Sequence, residues 1–278
     1  MQHVHITAEH RLFDLRLREL WQYRDLIWLF TRRSFVVTYK QTILGPLWFV
    51  AGPIASTVVF TVVFGHVAKL RTDGAPPFLF YLAGTLFWNF FSACLNSASG
   101  TLSGNAHLFG KVYFPRLVMP LANALTCIPR LLLGFAVFAV AFVAYRLSGT
   151  PCGLFPLRWA VLPLIALEAM MAGLGSGLVV AALTAKYRDL KFATALVLRL
   201  WFYATPVVYP ASYFAPEFRR WLGFNPMAPV TETARWALLG SGTLNASMVA
   251  VGAAAATLIF LAGVFAFNRT ERTFIDVI

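Results

Sequence analysis

Charge is what this sequence has least of. Only 12% of its 278 residues are charged, about half the share of an ordinary soluble domain, while 59% are hydrophobic and the mean hydropathy is +0.70. That balance excludes a soluble globular fold and points to an integral membrane protein. Acid is scarcer than base, 11 Asp and Glu against 23 Lys and Arg, for a net charge of +12. The excess does not read as a nucleic-acid surface, because the cations sit in short stretches between apolar runs and form no soluble basic face. Cysteine is rarer still. Cys94, Cys127 and Cys152 make no C-x-x-C, and they are read as small hydrophobes. His3, His5 and His10 crowd the start of the chain without a Cys or carboxylate cluster, so no metal site is expected.

Phosphate-binding and catalytic motifs are also missing. The nearest approach to a phosphate loop, Gly104 to Val112, has five residues between its glycines where four are required, and Val112 where a hydroxyl would hold magnesium. The run GLGSG lies inside an apolar segment and has no lysine; its Gly173 and Gly177 instead make a G-x-x-x-G pair suited to close helix packing. No ATP or magnesium site is therefore expected in this chain. The ionisable residues that fall inside apolar runs are Arg130, Glu168 and Arg199. One carboxylate without a partner base is poor material for acid-base or nucleophilic chemistry, so an enzyme is not the expected reading. Counting depth from the outer ends of their spans brings Arg130 and Glu168 to similar levels, which predicts an intramembrane pair. Arg199 lies near a span end, where its side chain is expected to snorkel.

What the sequence has is apolar length. A hydrocarbon core of about 30 Å takes about 20 apolar residues of helix. Six segments meet or approach that, at 44–65, 78–102, 117–145, 159–183, 193–209 and 247–267. No apolar core of a signal peptide occurs in the first 25 residues, so the first span is expected to act as its own membrane signal. With both termini inside, the inner connections carry fourteen Lys and Arg against seven outside, which favours that orientation.

Two polar breaks and two borders stand out. Residues 12–41 suit a helix on the membrane surface, with Trp21, Trp28, Leu29, Phe35, Val36 and Tyr39 at helical spacing and Arg32, Arg33 and Lys40 as headgroup anchors. Gly45-Pro46 then breaks the chain into the first span. Residues 210–246 are too apolar for a plain loop yet cut by prolines, which suggests short helices re-entering the outer leaflet. The loop from Ala182 to Phe192 mixes Tyr187, Arg188, Asp189, Leu190 and Lys191, with Tyr187 and Leu190 three apart as for a helical turn that docks in a groove.

In order along the chain, YKQTILGPLW (39–48) with Pro53, GKVYFPRLVMPLA (110–122), KYRDLK (186–191), TPVVYP (205–210) and Asn225-Pro226 form an ordered set. The chain thereby resembles the transmembrane permease subunit of ABC-2 type polysaccharide ABC exporters, which move O antigen, capsule or teichoic acid. The resemblance implies an all-α integral membrane protein. Residues 1–43 would be a cytosolic tail and amphipathic interface helix, and residues 44–278 a six-span transmembrane domain with an outer gate at 210–246. It further implies a homodimer in the bacterial inner membrane with both termini cytosolic, and a channel between subunits. Two copies of a separate cytosolic ABC ATPase would carry ATP and magnesium, and the substrate would be a lipid-linked polysaccharide.

Under that resemblance Tyr187 to Lys191 form the coupling loop, and Arg32, Arg33, Tyr39 and Lys40 meet membrane lipids and substrate at the headgroups. Sugar faces stack on rings without fixed hydrogen-bond geometry, which makes Trp48, Phe49, Tyr81, Phe87, Trp88, Phe91, Trp201 and Tyr203 candidates to line the channel. Arg130 departs from the family pattern, standing where a neutral or acidic residue is expected. The alternatives are an ABC-2 permease for another lipid or a drug, and a membrane-embedded enzyme acting on glycan or lipid.

Overall fold

The computed structural model describes residues 17–39, 48–104, 114–150, 153, 155–187, 189–242 and 244–274. Every regular element among them is helical. Helices α1 (Leu17–Gln22) and α2 (Arg24–Tyr39) precede α3 (Trp48–Phe60), which continues as a π-helical stretch, Thr61–Val67. Then come α4 (Pro77–Ser99), α5 (Val118–Leu125), α6 (Ile128–Leu147) and α7 (Leu162–Lys186). After α8 (Leu190–Ala204), two shorter helices, α9 (Pro216–Leu222) and α10 (Met227–Leu239), lead to α11 (Ala246–Phe274).

Proline opens several of these helices, in the first turn where its missing N–H costs nothing: Pro77 in α4, Pro129 in α6 and Pro163 in α7. Five stretches are long and apolar enough to cross a membrane, at Trp48–Val67, Pro77–Ser99, Val118–Leu147, Pro156–Lys186 and Ala246–Thr270. The sixth span expected at 193–209 corresponds to α8, whose 15 residues reach about 22 Å, short of a full crossing. Pro206 sets that limit, because the residue before a proline is driven extended, and Thr205 sits at ψ 140°.

Helix α4 is the axis of the bundle, packed by α3, α5, α6, α7 and α10. Its first half is apolar on all sides and Leu79 to Trp88 are buried without interruption, while Asn89 and Asn96 in its second half are exposed. Helix α7 lies along it and takes α11 on its other side. The GLGSG run makes both approaches possible. A Cβ at Gly173 would sit 2.7 Å from the Phe91 carbonyl oxygen of α4, and one at Gly177 2.6 Å from that of Leu95. Gly175, between them, faces the other way, where a Cβ would come 2.5 Å from Phe260 Cα in α11. Small residues thus bring three backbones together where hydrophobic driving force between helices is weak and dispersion does the packing.

The N-terminal helices lie against one end of this bundle. Tyr23, between α1 and α2, and Ile27 and Phe30 on one face of α2 pack with the core around α5; the Phe30 and Phe114 rings lie 5.7 Å apart, and Thr31 Oγ1 donates to the Ala122 carbonyl at 3.3 Å. The opposite face leaves Trp21, Trp28, Leu29 and Val36 exposed beside Arg32 and Arg33. Packing on protein and an interfacial outer face therefore coexist on α2. The side chain of Tyr39, and Lys40 with the Gly45-Pro46 break, lie outside the described residues, as do His3, His5, His10 and Cys152.

Candidate functional site

Helices α3 and α8 are apolar and little covered by the rest of the chain, each with one buried residue. Val58, Val59, Val62 and Val63 on the first, and Phe192, Leu196, Val197, Leu200 and Tyr203 on the second, are exposed. The two helices meet where Phe60 stacks on Phe202 at 5.6 Å, so the bare faces belong to neighbouring elements. An apolar helix face without protein cover calls for lipid or another polypeptide.

The eight candidate channel aromatics divide against this surface. Tyr81, Phe87, Trp88 and Phe91 are buried in the chain's own core, because they stand on α4. Trp201 is half-buried, with its ring 5.0 Å from Phe91 and its indole N–H donated to Asn225 Oδ1 at 2.9 Å. Trp48 and Tyr203 are exposed, and Phe49 is partly so. Lining a path outside the chain is therefore open to Trp48, Phe49 and Tyr203, whereas the α4 rings fill the interior. Phe192, 83% exposed at the start of α8, is an uncovered ring that the sequence reading did not select as a candidate.

The turn between α7 and α8 is short. Tyr187 caps α7 in an extended conformation, with its N–H bonded to the Leu183 carbonyl at 2.9 Å, and Asp189 opens α8. Tyr187, Asp189 and Lys191 are exposed and Leu190 is partly so; Lys186 Nζ lies 5.2 Å above the Tyr187 ring. Arg188 lies outside the described residues. Leu190 is the first residue of α8, so the end of α7 and the start of α8 stand only a few residues apart.

At the opposite end, the prolines and polar residues of 205–242 build a closed structure around Arg235, which is 1% exposed. Its Nη1 donates to the Pro206 carbonyl at 2.8 Å and the Tyr209 carbonyl at 3.4 Å, and Nη2 donates to the Val207 carbonyl. Nη1 also pairs with Glu232 Oε1 at 3.0 Å, and the guanidinium lies 3.8 Å over the Phe80 ring. Gly84 of α4 makes the room, since a Cβ there would meet Nη2 at 2.6 Å. Glu232 Oε1 accepts in turn from the Ala211 N–H at 3.0 Å. Burial pushes the Glu232 carboxyl above its ordinary range, against the pull of Arg235 and the Ala211 N–H. Asn225 closes the other side, donating to Thr205 Oγ1 at 2.9 Å and accepting the Met227 N–H at 3.1 Å. TPVVYP and Asn225-Pro226 are thus two halves of one turn that joins α8 to α10. A cavity of about 340 Å³ opens beside it, bounded by Asp73, Ser212, Arg219, Glu232 and Asn245, and Ser212 Oγ donates to Asp73 at 2.9 Å.

Arg130 and Glu168 do not pair. Among the described residues the ion pairs are Arg24 with Asp25 and Arg235 with Glu232. The expectation assumed one straight third span, but the chain breaks at Thr126 and Cys127, which places Arg130 in the first turn of α6. Arg130 turns to Phe49 of α3, whereas Glu168 turns to Gly252 of α11. Helix α4 also stands between, packing on both α6 and α7. Glu168 is buried beside Gly252 of α11 with Oε1 unpartnered. The Arg130 guanidinium lies 4.1 Å over the Phe49 ring, and its Nε is buried without a partner.

Comparison with known proteins assigns the chain to a family. The family model for the ABC-2 type transporter matches residues 25–239, from α2 to the end of α10. The chain belongs to the ABC-2 type transporter family. Curated relatives share most of its length. An O-antigen export system permease protein RfbA of Klebsiella pneumoniae is 27% identical over 255 residues, covering 91% of this chain and 95% of the relative. Its namesake from Myxococcus xanthus is 31% identical over 214 residues, covering 76% of this chain and 79% of the relative. The part of this ABC-2 chain that the family model matches takes in the α7–α8 turn and the Arg235 turn alike.

Proposed function

We propose that this chain is the transmembrane subunit of an ATP-driven exporter of lipid-linked polysaccharide, working as a homodimer in the bacterial inner membrane with both termini cytosolic. The observation that carries the reading is similarity over more than nine-tenths of the chain to an O-antigen export permease. The uncovered α3 and α8 faces support it, because two copies brought together there would enclose a path bordered by Trp48 and Tyr203. Rings suit such a path, since they hold sugar C–H faces while letting them slide.

Energy would come from two copies of a separate ABC ATPase that holds ATP and magnesium. The exposed α7–α8 turn is the surface through which hydrolysis would act, and its short link to α8 would carry the movement to the dimer path. At the other end, α9, α10 and the Arg235 turn would form the outer gate. Arg32 and Arg33, with Tyr39 and Lys40, would meet headgroups and substrate where α2 lies on the membrane surface.

Replacing Tyr187, Asp189, Leu190 and Lys191 together with alanine is expected to abolish co-purification with the ATPase while leaving membrane levels unchanged. Cells carrying only that variant should accumulate lipid-linked glycan inside, as cells lacking the chain should. Intact complex and normal surface glycan would refute the coupling role, and no internal glycan in cells lacking the chain would refute the exporter.

A further inference from the structure

Between α3, α4 and α6 lies a cleft of about 330 Å³ that the transport reading leaves unused. Its walls are apolar, from Leu82, Leu86, Phe90 and Val137, and its polar groups are Arg130, Asn89 and Ser56. The charge is unanswered. Arg130 makes no ion pair among the described residues, its Nε is buried without a hydrogen-bond partner, and the contact it has is the face of Phe49. A guanidinium against apolar walls is costly unless an anion completes it, and a ring face supplies only part of that.

The level of the cleft narrows the anion to a lipid headgroup. Trp48 and Phe49 open the span Trp48–Val67, and the Arg130 guanidinium lies over the Phe49 ring, so the cleft reaches the level where that span starts, and an exposed Trp at a span start is a residue of the membrane interface. Asn89 is exposed on α4, and with Ser56 it lines the cleft and offers donors there. Gly52 keeps one side open, with nothing within 4 Å of the place of its Cβ. Phosphate oxygens match the fork of an arginine, and an apolar tail matches the walls.

We infer that this cleft seats the phosphate headgroup of a membrane lipid, with Arg130 as the charged anchor, Asn89 and Ser56 as hydrogen-bond donors, and Trp48 and Phe49 over its mouth. The seat opens beside the path proposed between subunits and shares Trp48 and Phe49 with its border, and its test needs no export.

The full-length protein, reconstituted in phosphatidylcholine nanodiscs, would be titrated with phosphatidic acid or phosphatidylcholine bearing brominated acyl chains. The readout is the quenching of fluorescence that is lost in Trp48→Phe. Brominated phosphatidic acid should quench at about ten-fold lower mole fraction than brominated phosphatidylcholine, the step expected from one charge-assisted contact. Arg130→Gln should remove that preference, Arg130→Lys should retain part of it, and Gly52→Phe should suppress quenching by both lipids by filling the open side. An unlabelled long-chain isoprenyl phosphate would then compete. Displacement at lower mole fraction than phosphatidic acid assigns the seat to a carrier lipid, equal displacement assigns it to bulk phospholipid, and both keep the seat. A preference that survives in a folded Arg130→Gln protein overturns the inference. So does quenching that ignores Gly52→Phe. Either failure leaves the exporter reading standing.

Discussion

Arg235 and Arg130 are two cations set among apolar helices, and their surroundings are opposites. Three carbonyls, a carboxylate and a ring face enclose the two Nη groups of Arg235, all from the same chain, although its Nε, like that of Arg130, makes no hydrogen bond. Arg130 has one ring face and an open cleft. A charge that the fold completes is part of the scaffold, and a charge that it leaves incomplete is available to something else. The same contrast separates α4, 78% buried over its apolar window, from the span that starts at Trp48, 6% buried over its own. The first is the frame, and the second waits for a neighbour.

Arg235→Ala should produce the largest effect. It leaves Glu232 and three carbonyls buried without their partner, which costs about 3–5 kcal/mol for a broken buried pair. The outcome to look for is loss of folded protein from membranes, or a collapse of thermal stability in detergent. An unchanged melting transition would place Arg235 with Arg130 rather than against it. Gly175→Leu comes next. Its side chain meets the Phe260 backbone of α11, which cannot move aside as a rotamer would, so a loss of about 1–3 kcal/mol or more is expected on thermal unfolding. The smallest effect belongs to Arg130→Gln, which removes no partner's hydrogen bond and should change stability by no more than about 0.5 kcal/mol. A severe loss there would show that Arg130, too, holds the scaffold.

The sequence made the spans legible because apolar length is a composition signal, and Gly173 with Gly177 announced close packing that α4 receives. It did not reveal Gly175, whose role needs the partner helix α11 on the other face of α7. Arg235 was missed for a physical reason: the prolines of 210–246 read as an external segment, so its arginine was counted among the outer charges. The one available cue was a lone arginine in the apolar run TARWALL, just beyond Glu232. The break at Thr126 and Cys127, which sets Arg130 in the first turn of α6, leaves little compositional mark. Pro129, a first-turn proline, was the trace of a helix starting there. Tyr81, Phe87, Trp88 and Phe91 fill the interior instead of a channel, because they stand in the part of α4 that is apolar all round, where periodicity cannot tell a protein-facing ring from an exposed one.

The exporter reading is tested most directly in inside-out membrane vesicles that hold the ATPase, this chain and the radiolabelled lipid-linked glycan on the outer, formerly cytosolic, side. The account predicts that adding ATP moves glycan into the vesicle lumen in the presence of this chain and not in vesicles that lack it. Equal ATP-driven uptake without the chain, or none with it, would contradict the account.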